Sequence, residues 1–546
     1  MGEMLQVLTR SFHVFVAAAL LLPTFTYGQS APHHASGPRQ PLPKPKMVLA
    51  VMVDQLRYDY LMRWKGEFKG GFHRLLTKGA NFTNGHLGHY PTVTAIGHTT
   101  ILTGAYPINH GIVGNDWYDR ESGKKIESIT DFNEKNFGEE SDGPGASPRR
   151  LKVSTLGDQM KMALGTESKA EKPVVVGISL KDRSAIMPSG HMADGAFWFD
   201  RQTGDFISSS YYFKELPTWV KNYNAKKPQD AYLGKDFLVP GLAAPFTKVP
   251  GTAGPMYYSS LWNTPYSSEL IVKFAKTAID QYKIGQRGAI DLLTVSFSAN
   301  DTVGHRDGPD AESVHQMAVE TDRILGDLFA YLDSKVGMDN VLVVLSADHG
   351  VGPMPETNIE RNMPAGRIPR TLLFDTLQKA LSGKYGEGKW ILGTAGSSPY
   401  FDNALIKSKG INPEEFRAFA ADVVRELPAA VRVYTRDQLL KGQVPSDEVG
   451  QRVIKSFNTK HSGDLEVIML PYWIGDGSRA THGSPYSYDT HVPLLFMGPG
   501  VVPGYYDGRA MQQDVALTLA TMLEIEPPSS AEGRVLSEMF VGVAGK

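Results

Sequence analysis

Residues Met47–Asp54 read MVLAVMVD, an unbroken apolar run that ends on a carboxylate. A short continuous run of this kind is the pattern of a β-strand covered on both faces, as in a parallel sheet packed between helical layers. The same reading fits Val174–Ile178 (VVVGI), Leu292–Phe297 (LLTVSF), Val341–Leu345 (VLVVL) and Val492–Met497 (VPLLFM). Between them lie helical signals. Val314, Met317, Thr321, Ile324, Leu325, Leu328 and Leu332 recur at helical spacing. Asn412, Pro413 and Glu415 make an N-cap, a first-turn proline and a capping-box acid, opening a helix to about Leu427. Met511–Leu523 is a further helical pattern, ended by Pro527 and Pro528. Alternating strands and helices predict an α/β fold: a doubly wound, mostly parallel central sheet with helices on both faces.

The chain has 546 residues, more than one hydrophobic core usually serves, since cores stop growing at roughly 250–300 residues. The expected organisation is one large domain over residues 47–546, with insertions at about 190–268 and 352–480 forming a cap over one edge of the sheet. The first insertion is rich in aromatics, among them Phe197, Trp198, Tyr211, Trp219, Tyr257 and Trp262, which read as the packing of its own small core. Hydrophobic residues make up 41% of the chain, and the formal charge is −2. That balance argues against a nucleic-acid partner or a polybasic membrane contact. There is no cysteine, so disulfides and thiolate metal sites are excluded. Arg10, the apolar run Val14–Leu22 and the small residues up to Gly28 predict a cleaved signal peptide over 1–28, hence export to a periplasm or the exterior. Residues 29–46 read as a flexible lead-in, and no other stretch is long and apolar enough to span a membrane.

Charged residues follow the predicted strands. Asp54 follows the first run, Asp301 and His305 (DTVGH) follow Leu292–Phe297, and Asp348 and His349 (ADHG) follow Val341–Leu345. In a parallel sheet the carboxyl ends of the strands share one edge, where ligands bind. His482 (THGSP) precedes the run Val492–Met497 and brings the set to three histidines and three aspartates. Nitrogen and oxygen donors without sulfur suit Zn²⁺, and two ions could stabilise both oxygens of an in-line displacement. Spacing alone does not separate Zn²⁺ from Mn²⁺ or Fe.

Pro91–Gly104 reads PTVTAIGHTTILTG. Thr92 and Thr94 are both candidate nucleophiles there. Thr94 is preferred because it precedes Ala95–Leu102, a candidate helix whose N-terminus would favour a phosphoryl group. Either threonine could instead be a simple helix cap. Asn115 (HGIVGNDWYD) offers an amide donor, or is a turn residue after Gly114. Lys181 and Arg183 (LKDRS) follow the Val174–Ile178 strand and could hold a doubly charged phosphoryl group, or be a solvated surface pair.

Taken together, MVLAVMVDQLRYDYL, PTVTAIGHTTILTG, HGIVGNDWYD, GISLKDRSAI, SANDTVGH, LSADHG and THGSPYSYDTHVPLL resemble the alkaline phosphatase superfamily, in its PafA-like phosphate-monoesterase branch. The motifs occur in matching order from about residue 47 to about residue 525. The resemblance implies a dizinc enzyme acting on small-molecule phosphate monoesters through a phosphothreonine on Thr94. It implies one zinc on Asp301, His305 and His482, and another on Asp54, Asp348 and His349, with Thr94 completing the second set. It assigns phosphate binding to Asn115, Lys181 and Arg183. His491 competes with His482 for its ligand position, and the HGS context favours His482. His98 and His110 read as buried hydrogen-bonding residues. The related nucleotide pyrophosphatases and phosphodiesterases share the metal and threonine motifs; the Lys181/Arg183 pair is what points to monoesters. A sulfatase is a poor fit without cysteine, and a non-catalytic phosphate- or glycan-binding scaffold would have lost some of these residues.

Overall fold

Strand β1 (Met47–Val53) accounts for its own composition. Met47, Leu49, Val51 and Val53 enter one apolar layer, and Val48, Ala50 and Met52 enter another. A strand buried on both faces leaves no position for a polar side chain. The computed structural model describes residues 42–138, 143–164, 172–369 and 371–542.

The central sheet joins β1 to β2 (Ala80–Phe82), β3 (Asn136–Phe137), β4 (Val175–Ser179), β5 (Gly195–Phe199), β6 (Phe206–Ser209), β7 (Asp291–Phe297), β8 (Val341–Ser346), β9 (Leu494–Met497) and β10 (Gly504–Tyr506). Their order across the sheet is β10-β2-β9-β8-β1-β7-β4-β5-β6-β3. The middle five, from β8 to β5, are parallel, and four of them (β8, β1, β7 and β4) are the apolar runs read as parallel strands. Helices α1 (Thr94–Thr103), α2 (Asp182–Ser189), α3 (Pro265–Tyr282), α4 (Ala299–Asp307), α5 (Glu312–Lys335) and α6 (Asp514–Leu523) are the ones that matter below. Apolar layers on both faces of the sheet make the fold doubly wound.

Three expectations need correction. The run Val492–Met497 is not a parallel strand: β9 is antiparallel to β8, with Leu494 opposite Ser346. An apolar run records burial and says nothing about direction. The reversal brings the segment before β9 to the edge where the parallel strands end. Secondly, residues 190–268 are not wholly a cap, because β5 and β6 extend the sheet itself. Their aromatics do not form a private core. Phe197, Phe206, Trp219 and Tyr223 surround Phe274 of α3, and the Phe206 and Phe274 rings stack at 4.0 Å within the main apolar layer. Thirdly, the end of the lead-in is anchored: Leu42 packs on the second layer and Lys44 pairs with Glu524 at 2.7 Å. The signal-peptide reading of 1–28 lies outside the described residues. Among the described residues no helix is long and apolar enough to cross a membrane.

Residues 352–480 do build a lobe with its own core, including Leu377, Trp390, Phe401, Phe416 and Leu465. Its hairpins pair Ile391–Ala395 with Ser398–Phe401, and Ala430–Thr435 with Leu465–Met469. The helix Pro413–Arg425 is capped by the Asn412 side chain, which accepts from the Glu414 and Glu415 N–H groups, and it ends two residues before Leu427.

Candidate metal centre and nucleophile

The strand ends deliver the charged residues to one place. Asp54 follows β1, Asp348 and His349 follow β8, and α4 starts just after β7. On α4, Asp301 and His305 are one turn apart, with Oδ1 and Nε2 at 3.2 Å. His482 Nε2 lies 3.8 Å from the same Asp301 oxygen. His349 Nε2 is 3.4 Å from Asp54 Oδ1 and 3.4 Å from Asp348 Oδ2. Two triads have donor atoms within 4.8 Å of one another: Asp301, His305 and His482, and Asp54, Asp301 and His349. The second differs from the grouping the resemblance implies: Asp301 belongs to both triads, and Asp348 to neither, although its Oδ2 lies 3.4 Å from His349 Nε2.

The histidine hydrogen bonds fix what faces the cluster. Nδ1 of His305 meets the Ala480 carbonyl at 2.9 Å, Nδ1 of His349 the Gly350 carbonyl at 2.9 Å, and Nδ1 of His482 the Thr92 carbonyl at 2.8 Å. A carbonyl only accepts, so each Nδ1 carries a proton and donates it. Burial holds His349 and His482 below the usual imidazole range, so they are neutral, with Nε2 lone pairs directed at carboxylates. Burial opposes protonation of His305 as well, but the Asp301 carboxylate outweighs it and raises that ring. Lone pair against carboxylate is repulsive unless a cation lies between them. Asp54 Oδ1 and Asp348 Oδ2 are also buried without a hydrogen-bond partner.

Three buried carboxylates meet one ammonium here. Lys181 Nζ donates to Asp54 Oδ2 and, at 2.7 Å, to Asp301 Oδ2. Burial raises Asp54 well above the usual carboxylate range, and the charges of Asp301 and Asp348 add to that. Burial would raise Asp301 too, but Lys181 and then His305 hold it well below. Three carboxylates and three imidazoles crowd round a single ammonium, an oxygen and nitrogen donor set that fits divalent cations.

Thr94 is the first residue of α1, and its Oγ1 lies 3.5 Å from His349 Nε2. Every residue of α1 is buried. The helix comes this close because position 97 is glycine: a Cβ there would stand 2.3 Å from the Asp348 carbonyl oxygen. Thr92 is committed elsewhere, since its hydroxyl donates to the Ser484 carbonyl at 2.9 Å and its own carbonyl orients His482. Asn115 Oδ1 accepts from the Ala95 N–H at 2.8 Å, and the residue lines a cavity beside Thr94 with its NH₂ group still to donate. Arg183 opens α2, its Nε buried without a hydrogen-bond partner and its Nη1 3.6 Å from Asp182. Lys181 and Arg183 line one cavity together with Arg201 and Trp262, and Lys181 also reaches from it to the carboxylates.

His491 stacks on Tyr58 and His86, and its Nε2 meets the Thr83 carbonyl at 2.9 Å, apart from the cluster. His98 is buried against Thr94 O and Ser296. In His110, Nδ1 accepts from the Ile112 N–H. Two residues at the cluster escape a reading of the sequence. Gln55 donates from Nε2 to Asp301 Oδ1 at 2.7 Å and from its backbone to Asp348, and Asn300 donates to the Asp54 carbonyl at 2.9 Å. The only signal for either is adjacency to an aspartate at a strand end.

Residues 48–484 match the model of the type I phosphodiesterase / nucleotide pyrophosphatase family. The chain is 36% identical to alkaline phosphatase PafA of Elizabethkingia meningoseptica, over 91% of this chain and 95% of that protein. The crystal structure of wild-type PafA superposes with a TM-score of 0.84 at 34% identity, covering 92% of this chain and 100% of that one. A Myroides odoratus protein named calcium-transporting ATPase is 33% identical over 91% of this chain and 95% of its own length. Alkaline phosphatase PhoV of Synechococcus elongatus is 32% identical over 92% and 94%.

Proposed function

Since the chain belongs to the type I phosphodiesterase / nucleotide pyrophosphatase family, we propose that it is an exported alkaline phosphatase hydrolysing phosphate monoesters through a phosphothreonine on Thr94 beside two zinc ions. The observation that carries this reading is the pair of neutral His349 and His482 rings aiming lone pairs at buried carboxylates, with the Thr94 hydroxyl 3.5 Å from one of them. The named alkaline phosphatases among its relatives support it over most of their length.

Asp54, Asp348 and His349 would hold one ion, and Asp301, His305 and His482 the other. Such ions supply Lewis acidity that lowers the pKa of a neighbouring hydroxyl and stabilises a departing oxygen. Thr94 Oγ then forms a bond to phosphorus as the bond from phosphorus to the alcohol oxygen breaks, and the alcohol leaves as its protonated form. Water cleaves the threonyl phosphate, releasing inorganic phosphate and restoring the hydroxyl. The Asn115 NH₂ group would donate to a phosphoryl oxygen while its Oδ1 holds the Ala95 N–H at the head of α1. Arg183 adds a fixed positive charge. Lys181, which lines the same cavity, would add a second. Two cationic side chains suit the two negative charges of a monoester better than the single charge of a diester.

Chelation followed by zinc add-back, with rates on the mono- and diester of one phenol, tests this. Activity lost and restored with two zinc ions per chain, and a faster monoester, is the expected result. A faster diester would favour the phosphodiesterase reading of the family. A chain purified without zinc and inert on both would be a non-catalytic phosphate- or glycan-binding scaffold.

A further inference from the structure

A cavity of about 280 Å³ lies between the sheet edge and the 352–480 lobe. Asn115 and His482 line it, so it opens beside Thr94; so do Tyr90, Ser398, Tyr400 and Glu466 from the surrounding walls. Its chemistry is one-sided. It is lined by two acids, Asp116 and Glu466, and by no lysine or arginine. Asp116 already pairs with Lys125 at 3.1 Å. Glu466 has no such partner among the described residues: Ser398 Oγ donates to its Oε2 at 2.7 Å, and no cation acts on it. Burial raises its pKa to about 7, with only the Ser398 hydrogen bond acting the other way. Around it the tyrosine hydroxyls are turned away, Tyr90 onto the Val467 carbonyl at 2.9 Å and Tyr400 onto the His461 carbonyl at 2.6 Å. That leaves ring surface lining the cavity.

A half-buried carboxylate with one acceptor oxygen unused, between aromatic walls, is complementary to an ammonium group. It is repulsive to a second anion. The geometry points to this cavity as the seat of the leaving alcohol and to Glu466 as the residue that selects alcohols carrying a positively charged amine, that is, aminoalkyl phosphate monoesters. The assignment rests on the phosphate-monoesterase reading above. It adds to it a substrate class: zwitterionic monoesters over polyanionic ones such as bisphosphates. Ser398 holds Oε2 and so positions the carboxylate that would receive the amine.

Pairs of probes that differ only in replacing the ammonium by a methyl group test it: aminoethyl, aminobutyl and aminohexyl phosphate against propyl, pentyl and heptyl phosphate. For at least one chain length, the full-length enzyme is expected to show kcat/KM about tenfold higher for the amine, the size of one charge-assisted contact. In Glu466→Gln that ratio falls to near one. Glu466→Asp keeps the charge but withdraws it by a methylene, so it is expected to keep the preference and move it to a longer chain. Equal rates within every pair in the wild type, or a ratio unchanged in Glu466→Gln, overturns the assignment. If Glu466→Gln does not fold, an unmoved chain-length optimum in Glu466→Asp overturns it as well. Calorimetric titration of the same probes into Thr94→Ala separates this from the parent reading. Tighter binding of the amines, lost when Glu466→Gln is added, upholds the cavity even if no monoester is hydrolysed. Equal binding within pairs rejects it even if monoesters are hydrolysed.

Discussion

The sheet edge and the lobe face each other across the cavity that Asn115, His482 and Glu466 line, and they are built on opposite principles. At the edge nearly every functional atom is held by a second bond. Nδ1 of each of His305, His349 and His482 is tied to a carbonyl, Asp301 takes a hydrogen bond from Gln55, and Asp348 takes backbone bonds from Gln55 and His349. Across the cavity the lobe offers one carboxylate with a single hydroxyl partner. A site that must hold charge in a fixed geometry needs that outer support, because ligand orientation sets metal affinity and reactivity. A surface that only selects a leaving group needs no such rigidity. The contrast assigns chemistry to the edge and selectivity to the lobe.

The sharpest way to break that division is Thr94→Ala. Its kcat on an aryl phosphate is expected to fall by roughly 10³-fold or more, since no other hydroxyl stands in place to attack, while metal analysis still finds two ions per chain. Retained turnover would shift the nucleophile to water or to Thr92. Asn115→Ala removes one preorganised donor, and kcat should drop about 10²- to 10³-fold with little change in metal content; a loss confined to KM would make Asn115 a mere substrate contact. Gln55→Ala touches no substrate but frees Asp301. Zinc affinity measured by competition with a chelator should weaken roughly 10- to 100-fold, and an unaffected affinity would mean that the edge does not depend on its outer hydrogen bonds.

The smallest effect belongs to the lobe. Glu466 titrates at about 7 in the fold against an ordinary 4.5, so between those values the folded state binds more protons than the unfolded one. Stability from this group is therefore fully present below about pH 4.5 and is lost as pH rises to about 7. Glu466→Gln removes the cost of the buried charge. Its Tm above pH 7 should exceed the wild type by a few degrees, of the order that 1–2 kcal/mol shifts a domain of this size, and the difference should shrink toward pH 5. A Tm gap independent of pH would show that the carboxylate is solvated and not isolated.

How much of this was legible in the sequence depends on how local each feature is. The apolar run before Asp54, the i, i+4 pair Asp301 and His305, and the Asp348–His349 step carry their meaning within a few residues. So do the Asn412 cap and the helix that starts at Thr94. The residues favour Thr94 over Thr92 and His482 over His491 only by short local contexts, a following apolar stretch and an HGS triplet. The choice turns on which neighbouring carbonyl each side chain meets. Gln55 has only its place beside Asp54 to mark it and Glu466 has nothing, because their roles consist of partners 246 and 68 residues away.

The sequence by itself determined that buried strands end in carboxylates and imidazoles, and therefore that a doubly wound sheet would gather them along one edge. Tertiary structure alone decided that β9 runs backward to bring His482 there, and that Gly195–Ser209 joins the sheet. It alone decided that Lys181 enters between Asp54 and Asp301. The physical reason is that hydrophobic periodicity reports whether a residue is buried. Strand direction and the partner of a buried charge are settled only when distant segments compete for the same space.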